Sequence, residues 1–173
     1  MAHGAERKDK LMTIQGARPN NRQVAPYLFV REGKKAIEWY RRAFGAEVLY
    51  QSPMPGGDGI FAQLKIGESV VQVPDEAVTS KREAHYPASP ESLGASVLLE
   101  MYVDDVDTMY KRAVDAGATP TPPPFDAFYG DRYGWIRDPF GHTWALATVK
   151  EFLTPEEIER RMNDFLAQMS QCR

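Results

Sequence analysis

Cysteine is almost absent from the chain: Cys172 is the only one in 173 residues and stands next to the last position. No intramolecular disulfide can form, so a reducing compartment is expected. Long apolar runs are missing too. Nothing approaches the ~18–20 residues of a bilayer-spanning helix, and the opening MAHGAERKDK lacks the apolar core of a signal peptide. A membrane is therefore not an expected partner, and the expected location is the cytoplasm. Nor does either charge sign dominate, because 21 Lys+Arg stand against 24 Asp+Glu for a net charge of −3. Without a basic stripe, nucleic acid is not an expected partner. Histidine is scarce as well: His3, His85 and His142 form no i, i+3 or i, i+4 pair, and no HExxH, CxxC or GxSxG occurs.

What is present is a globular composition, 43% hydrophobic and 26% charged. The length suits one domain, or two small halves sharing a core. Residues 1–22 are polar and aperiodic and read as a loose arm. VAPYLFV, with Tyr27 and Phe29, reads as a strand buried on both faces. KKAIEWYRRAFG follows with Ile37, Tyr40 and Phe44 at helical spacing and Gly45 at the helix end. AEVLYQSPM, IFAQLKIG and SVVQVPDE then read as three strands, the last two joined at Gly67-Glu68, so the order over 24–74 is β-α-β-β-β. A polar stretch, 75–94, reads as a linker.

The order then starts again over 95–149. ASVLLEMYVDD predicts a strand and VDTMYKRAVDAG a helix. ATPTPPPF holds prolines that only an edge strand or loop tolerates, and YGWIRDP and TWALATV form a hairpin around Gly141. Gly45 aligns with Gly117 and Gly67 with Gly141, which points to an internal repeat. In the remaining segment, 151–173, Thr154-Pro155-Glu156-Glu157 reads as a capped helix start. Ile158, Met162, Phe165, Leu166 and Met169 make one apolar stripe behind it.

Two βαβββ units, together with APYLFV, AIEWYRRAFGAE, FYGDRYGWIRDPFGHTWALAT and TPEEIERR, resemble the vicinal oxygen chelate superfamily. That superfamily includes glyoxalase, extradiol dioxygenases and the bleomycin and fosfomycin resistance proteins. The nearer resemblance is to its PhnB-like branch, over residues 24–162. It implies an α+β fold in which paired βαβββ modules form curved mixed sheets, or half-barrels, around a cavity, within a domain spanning 23–150 and followed by an extra helix. It also implies a homodimer, since resistance relatives sequester a drug at a dimer interface.

The metal-using relatives place a His, Gln or Glu ligand on the first and last strand of each unit. Those positions correspond here to Ala25, Val71, Leu98 and Ala145, none of which can ligate a cation. A shift of one residue would bring in Gln72 and a shift of two would bring in Glu100, still without a histidine. No metal cofactor is expected. His142 reads as a structural turn residue, His3 and His85 as solvated side chains.

Glu100 shares strand parity with Leu98 and Tyr102, at a place where PhnB-like sequences often carry His. Three roles are open to it: pairing with an Arg such as Arg132, accepting from a ligand's amine or hydroxyl, or acting as a general base. Tyr27, Phe29, Tyr102, Phe128, Tyr129, Trp135 and Trp144, with Arg132, are the candidate ligand-binding residues, although many such rings merely fill a core. The expected function is metal-independent binding of a small apolar or aromatic molecule. The rivals are a lyase, isomerase or dioxygenase-type enzyme with unorthodox metal ligands and Glu100 as catalytic base, and an interaction module acting through the C-terminal helix.

Overall fold

The computed structural model describes residues 24–53, 59–75 and 97–171, with no side-chain description at 169 and 171. The expected arm, most of the expected linker, His3, His85 and Cys172 lie outside the described residues. The elements are α1 (Gly33–Phe44), β1 (Glu47–Pro53), β2 (Ile60–Ile66), β3 (Ser69–Pro74), β4 (Leu98–Tyr102), α2 (Val106–Asp115), β5 (Thr119–Pro120), β6 (Phe125–Asp126), β7 (Asp131–Arg137), β8 (Thr143–Val149) and α3 (Pro155–Gln171). They fall into two compact units. Residues 24–38, 45–53 and 59–75 form the first, and 39–44 with 97–171 form the second, so α1 contributes to both.

In unit 1, β1, β2 and β3 form an antiparallel meander. The segment before α1 runs parallel to β3 through bridges Tyr27↔Gln72 and Val30↔Asp75. Leu28 N–H donates to the Gln72 carbonyl at 2.8 Å and Val30 N–H to the Pro74 carbonyl at 3.1 Å. The expectation of a strand buried on both faces fails in part here. Leu28 and Val30 are buried but Tyr27 is 55% exposed, because alternate residues of an extended chain point to opposite sides. The first turn of α1 carries no acid of its own. Asp75 supplies one from across the unit, with Gly33 N–H donating to its Oδ2 at 2.9 Å, where a carboxylate offsets the positive helix end. A side chain at Gly33 would place its Cβ 3.0 Å from that oxygen.

Unit 2 repeats the arrangement with the strand order β4-β8-β7-β5 and β6 also on β7. β4 again runs parallel to the last strand, β8. The strand that is whole in unit 1 is here two short pieces, because prolines 122–124 have no N–H to donate to a ladder. α2 starts at Asp105, whose carboxylate accepts from the Asp107 and Thr108 N–H groups. At α3 the Thr154 hydroxyl accepts from Glu157 N–H at 3.3 Å, but Glu157 does not reach back to close a capping box. Its carboxylate instead accepts from Arg160 and Arg161, which hold its pKa down at about 2.

The hairpin between β7 and β8 organises the core of this unit. Asp138 is 1% exposed. Its Oδ1 accepts from Phe140 N–H at 3.0 Å and His142 N–H at 2.9 Å. Its Oδ2 accepts from the Tyr40 hydroxyl at 2.6 Å and the Trp144 indole N–H at 3.0 Å. Four donors make a buried carboxylate tolerable where an unpaired one would be prohibitive. Tyr40 and Trp144 bring Phe44 with them, whose ring centroid lies 4.8 Å from that of Trp144.

Asp138→Ala leaves the Tyr40 hydroxyl and Trp144 indole buried without an acceptor, at a cost of at least about 3 kcal/mol in denaturant unfolding. Tyr40→Phe is expected to cost about 2 kcal/mol, and an unchanged midpoint in either variant would contradict this account. Burial, reinforced by the Asp138 charge and hydrogen bond, raises the Tyr40 pKa well above 10.0. The stability this lends is complete below the unfolded value and is lost as pH climbs past it. Unfolding midpoints measured from pH 8 to 11.5 should therefore fall above about pH 10, less steeply in Tyr40→Phe.

Candidate functional site

Strand periodicity divides the unit 2 sheet into two faces. Leu99, Met101, Arg132, Gly134, Ile136, Trp144, Leu146 and Thr148 share one face by register. α2 lies on it: Val106 N–H donates to Thr148 Oγ1 at 2.8 Å, and Arg132 pairs with Asp107. The other face carries Leu98, Glu100 and Tyr102 of β4, Ala145 and Ala147 of β8, and Asp131, Tyr133 and Trp135 of β7. Phe125 of β6 stands opposite Tyr133. On β8 the same face also carries Thr143 and Val149, and the two alanines between them are fully buried.

The rings on this second face form a continuous chain. Trp135 lies 5.7 Å from Tyr133, and Phe125 touches both at 6.2 Å. Tyr133 meets Tyr129 at 6.4 Å, Tyr129 meets Phe128 at 5.3 Å, and Phe128 stacks on Phe165 of α3 at 5.7 Å. Phe125 is 47% exposed, and Tyr129, Tyr133 and Trp135 are half-buried, so the rings present both edges and faces. Gly130 fixes the loop that delivers Phe128 and Tyr129. It sits at φ +97°, and a Cβ there would lie 2.6 Å from the Glu151 carbonyl oxygen. Its own carbonyl accepts from Lys150 and Glu151 N–H, which joins the loop to the chain leading into α3.

The electrostatics of the face are acidic. The Tyr102 hydroxyl donates to Asp131 Oδ2 at 3.0 Å. That bond, aided by desolvation and the Asp131 and Glu100 charges, pushes the Tyr102 pKa up to about 12. Tyr129 and Tyr133 are raised first by burial and then by neighbouring negative charge, with Glu100 acting on both.

Of the residues singled out from sequence, Glu100, Tyr102, Phe128, Tyr129 and Trp135 come together here. Tyr27 and Phe29 stack on each other in unit 1 at 6.2 Å. Arg132 and Trp144 lie on the helix-covered face, Arg132 bound to Asp107 and Asp126 and Trp144 to Asp138. The sequence-level pairing of Glu100 with Arg132 is therefore replaced, because residues 132 and 135 of one regular strand point to opposite sides. Phe125 and Tyr133 were missed. The two-residue step from Trp135 back to Tyr133 was the available signal.

Of the four positions compared with relatives' metal ligands, Ala25 and Val71 lie in unit 1 and Leu98 and Ala145 in unit 2. Among the described residues no group of three or more His, Cys, Asp or Glu is placed to hold a metal ion. Two clefts of about 350 and 370 Å³ flank α2, and the first is basic through Arg42, Lys111 and Arg112. Those cations are already committed: Arg42 to the Ala116 carbonyl, Arg112 to the Ala43 carbonyl and Lys111 to Asp115.

The Tyr102 assignment is open to a direct check. A difference absorbance titration of the protein against Tyr102→Phe should show one phenol ionising near pH 12. Asp131→Asn should bring it back toward the ordinary value of 10.0, and a phenol already ordinary in the parent would contradict the bond.

Comparison with known proteins agrees with the fold. A protein of Mycobacterium tuberculosis described as uncharacterized is 36% identical over 141 residues, 81% of this chain and 82% of its own length. The crystal structure of TioX from Micromonospora sp. ML1 superposes with a TM-score of 0.57 at 26% identity, covering 75% of this chain and 99% of that one. A PhnB protein of Bacillus cereus, described as a putative 3-demethylubiquinone-9 3-methyltransferase, shares the fold with a TM-score of 0.57 at 14% identity, over 74% of this chain and all of its own. The profile of the Glyoxalase/Bleomycin resistance protein/Dioxygenase superfamily matches residues 22–146, and the chain belongs to that superfamily.

Proposed function

We propose that this chain is a cytoplasmic binding protein that takes up a small aromatic molecule on the ring-lined face of unit 2 without using a metal ion. The observation that carries the reading is the unbroken chain of partly exposed rings from Trp135 to Phe165, on the sheet face opposite α2. Flat rings recognise other flat rings by offset and edge-on stacking as well as by the apolar area they cover. Folded cores hide such rings, whereas here they remain half-open beside two carboxylates. Glu100 is exposed. That setting suits a counter-charge or hydrogen-bond acceptor better than a proton acceptor in a dry cleft.

N-phenyl-1-naphthylamine, a neutral fluorescent probe, should bind saturably with its emission enhanced. Trp135→Ala should weaken it roughly tenfold by removing one stacking wall. No saturable binding, or an affinity indifferent to Trp135, would remove the reading. The enzyme alternative keeps its own test, since Glu100→Gln would abolish a turnover but merely adjust an affinity.

Pairing of two chains is part of the same proposal. β1 exposes Val48 and Tyr50, and α3 exposes Met162 and Leu166. Apolar edges and stripes of this kind favour cover by a second copy. Sedimentation equilibrium at micromolar concentration should give twice the 19.5 kDa chain mass, and a single-chain mass would count against it.

A further inference from the structure

We infer that the molecule bound on this face is an organic cation, a flat ring system carrying a protonated amine or a quaternary nitrogen. The inference rests on the binding reading above and adds the charge of the ligand. Two features lead to it. The rings of Tyr129, Tyr133, Trp135 and Phe125 turn a negative π-surface toward whatever lies against them, and that surface attracts cations. Glu100 and Asp131 border the same rings on either side of β8, Glu100 of β4 opposite Ala145 and Asp131 of β7 opposite Val149.

Arg137 apart, the arginines around this sheet are deployed elsewhere. Arg132 is on the opposite face, between Asp107 and Asp126. Arg112 and Arg42 donate to backbone carbonyls. Arg137 shares the ring face one row beyond Trp135, opposite Thr143, at the far end of β7 from Asp131, and it already has an interaction of its own. The charges felt by the Tyr102, Tyr129 and Tyr133 phenols are accordingly those of Glu100 and Asp131, with neighbouring phenols and no cation. Asp131 already holds the Tyr102 hydroxyl, which leaves Glu100 as the carboxylate with a solvent-facing side chain. An anionic ligand would meet this edge unfavourably, and a neutral one would leave it without a counter-charge.

The test uses one ring with three charges: 2-naphthylmethylammonium, 2-naphthylmethanol and 2-naphthoate, titrated calorimetrically into the full-length protein at pH 7 and low salt. The amine should bind roughly five- to tenfold more tightly than the alcohol, and the carboxylate most weakly. Added salt should narrow the gap. Glu100→Gln, which keeps the shape of an exposed side chain, should shrink the amine's advantage over the alcohol to less than about twofold without changing the melting temperature. Equal binding of amine and alcohol, or an advantage unchanged in Glu100→Gln, overturns the charge assignment and leaves the aromatic site standing. Failure of all three to bind overturns the aromatic site and this inference together.

Discussion

The buried carboxylate of Asp138 is the constraint on which unit 2 is built. A charged oxygen pair removed from water must be repaid in hydrogen bonds, and four donors converge on it from the turn, from β8 and from the last turns of α1. Each donor fixes something that matters further away. The two turn N–H groups set the tight reversal between β7 and β8, and so the register that pairs Trp135 with Ala145 and Tyr133 with Ala147. The Trp144 indole and Tyr40 hydroxyl orient large rings on the helix-covered face. With that face filled, the alternation of the strands leaves the other face to residues that the core does not need.

The sheet of unit 2 therefore divides its labour between faces. On one, Trp144, Leu146, Ile136 and Val106 are buried, and the single exposed-end cation Arg132 is tied to two carboxylates. On the other, aromatic residues accumulate with acids at their border, and the intervening strand carries alanine. The broken β5–β6 edge adds to this. The proline cluster stops one continuous edge strand from forming, and the short β6 brings Phe125 against Tyr133 and Trp135. Gly130, whose backbone no other residue type could adopt against the Glu151 carbonyl, then turns the chain so that Phe128 and Tyr129 extend the same ring series.

Family membership says little about what such a face binds, because superfolds of this kind host many chemistries and the site decides among them. What the fold provides is a sheet face whose side chains the helix-covered core does not use.

The sequence by itself determined the order of elements, the repeat, the helix starts and the family. All of these are written in short-range periodicity and in local turn chemistry such as Gly67, Gly141 and the Thr154-Pro155 start. It also placed Glu100 and Tyr102 on one side of β4, since parity within one strand is a local property. Which rings stand beside them was a matter of register between strands, and register is set by pairing partners far apart in the chain. That is why Trp144 looked as suitable as Trp135 and Arg132 as suitable as Asp131. Only the tertiary structure decided that Trp144 belongs to Asp138, that Arg132 belongs to Asp107 and Asp126, and that Phe125, Asp131 and Tyr133 complete the face opposite Glu100. A buried carboxylate and the helix packed over one side of the sheet make that choice, and neither is visible to a pattern read along a single strand.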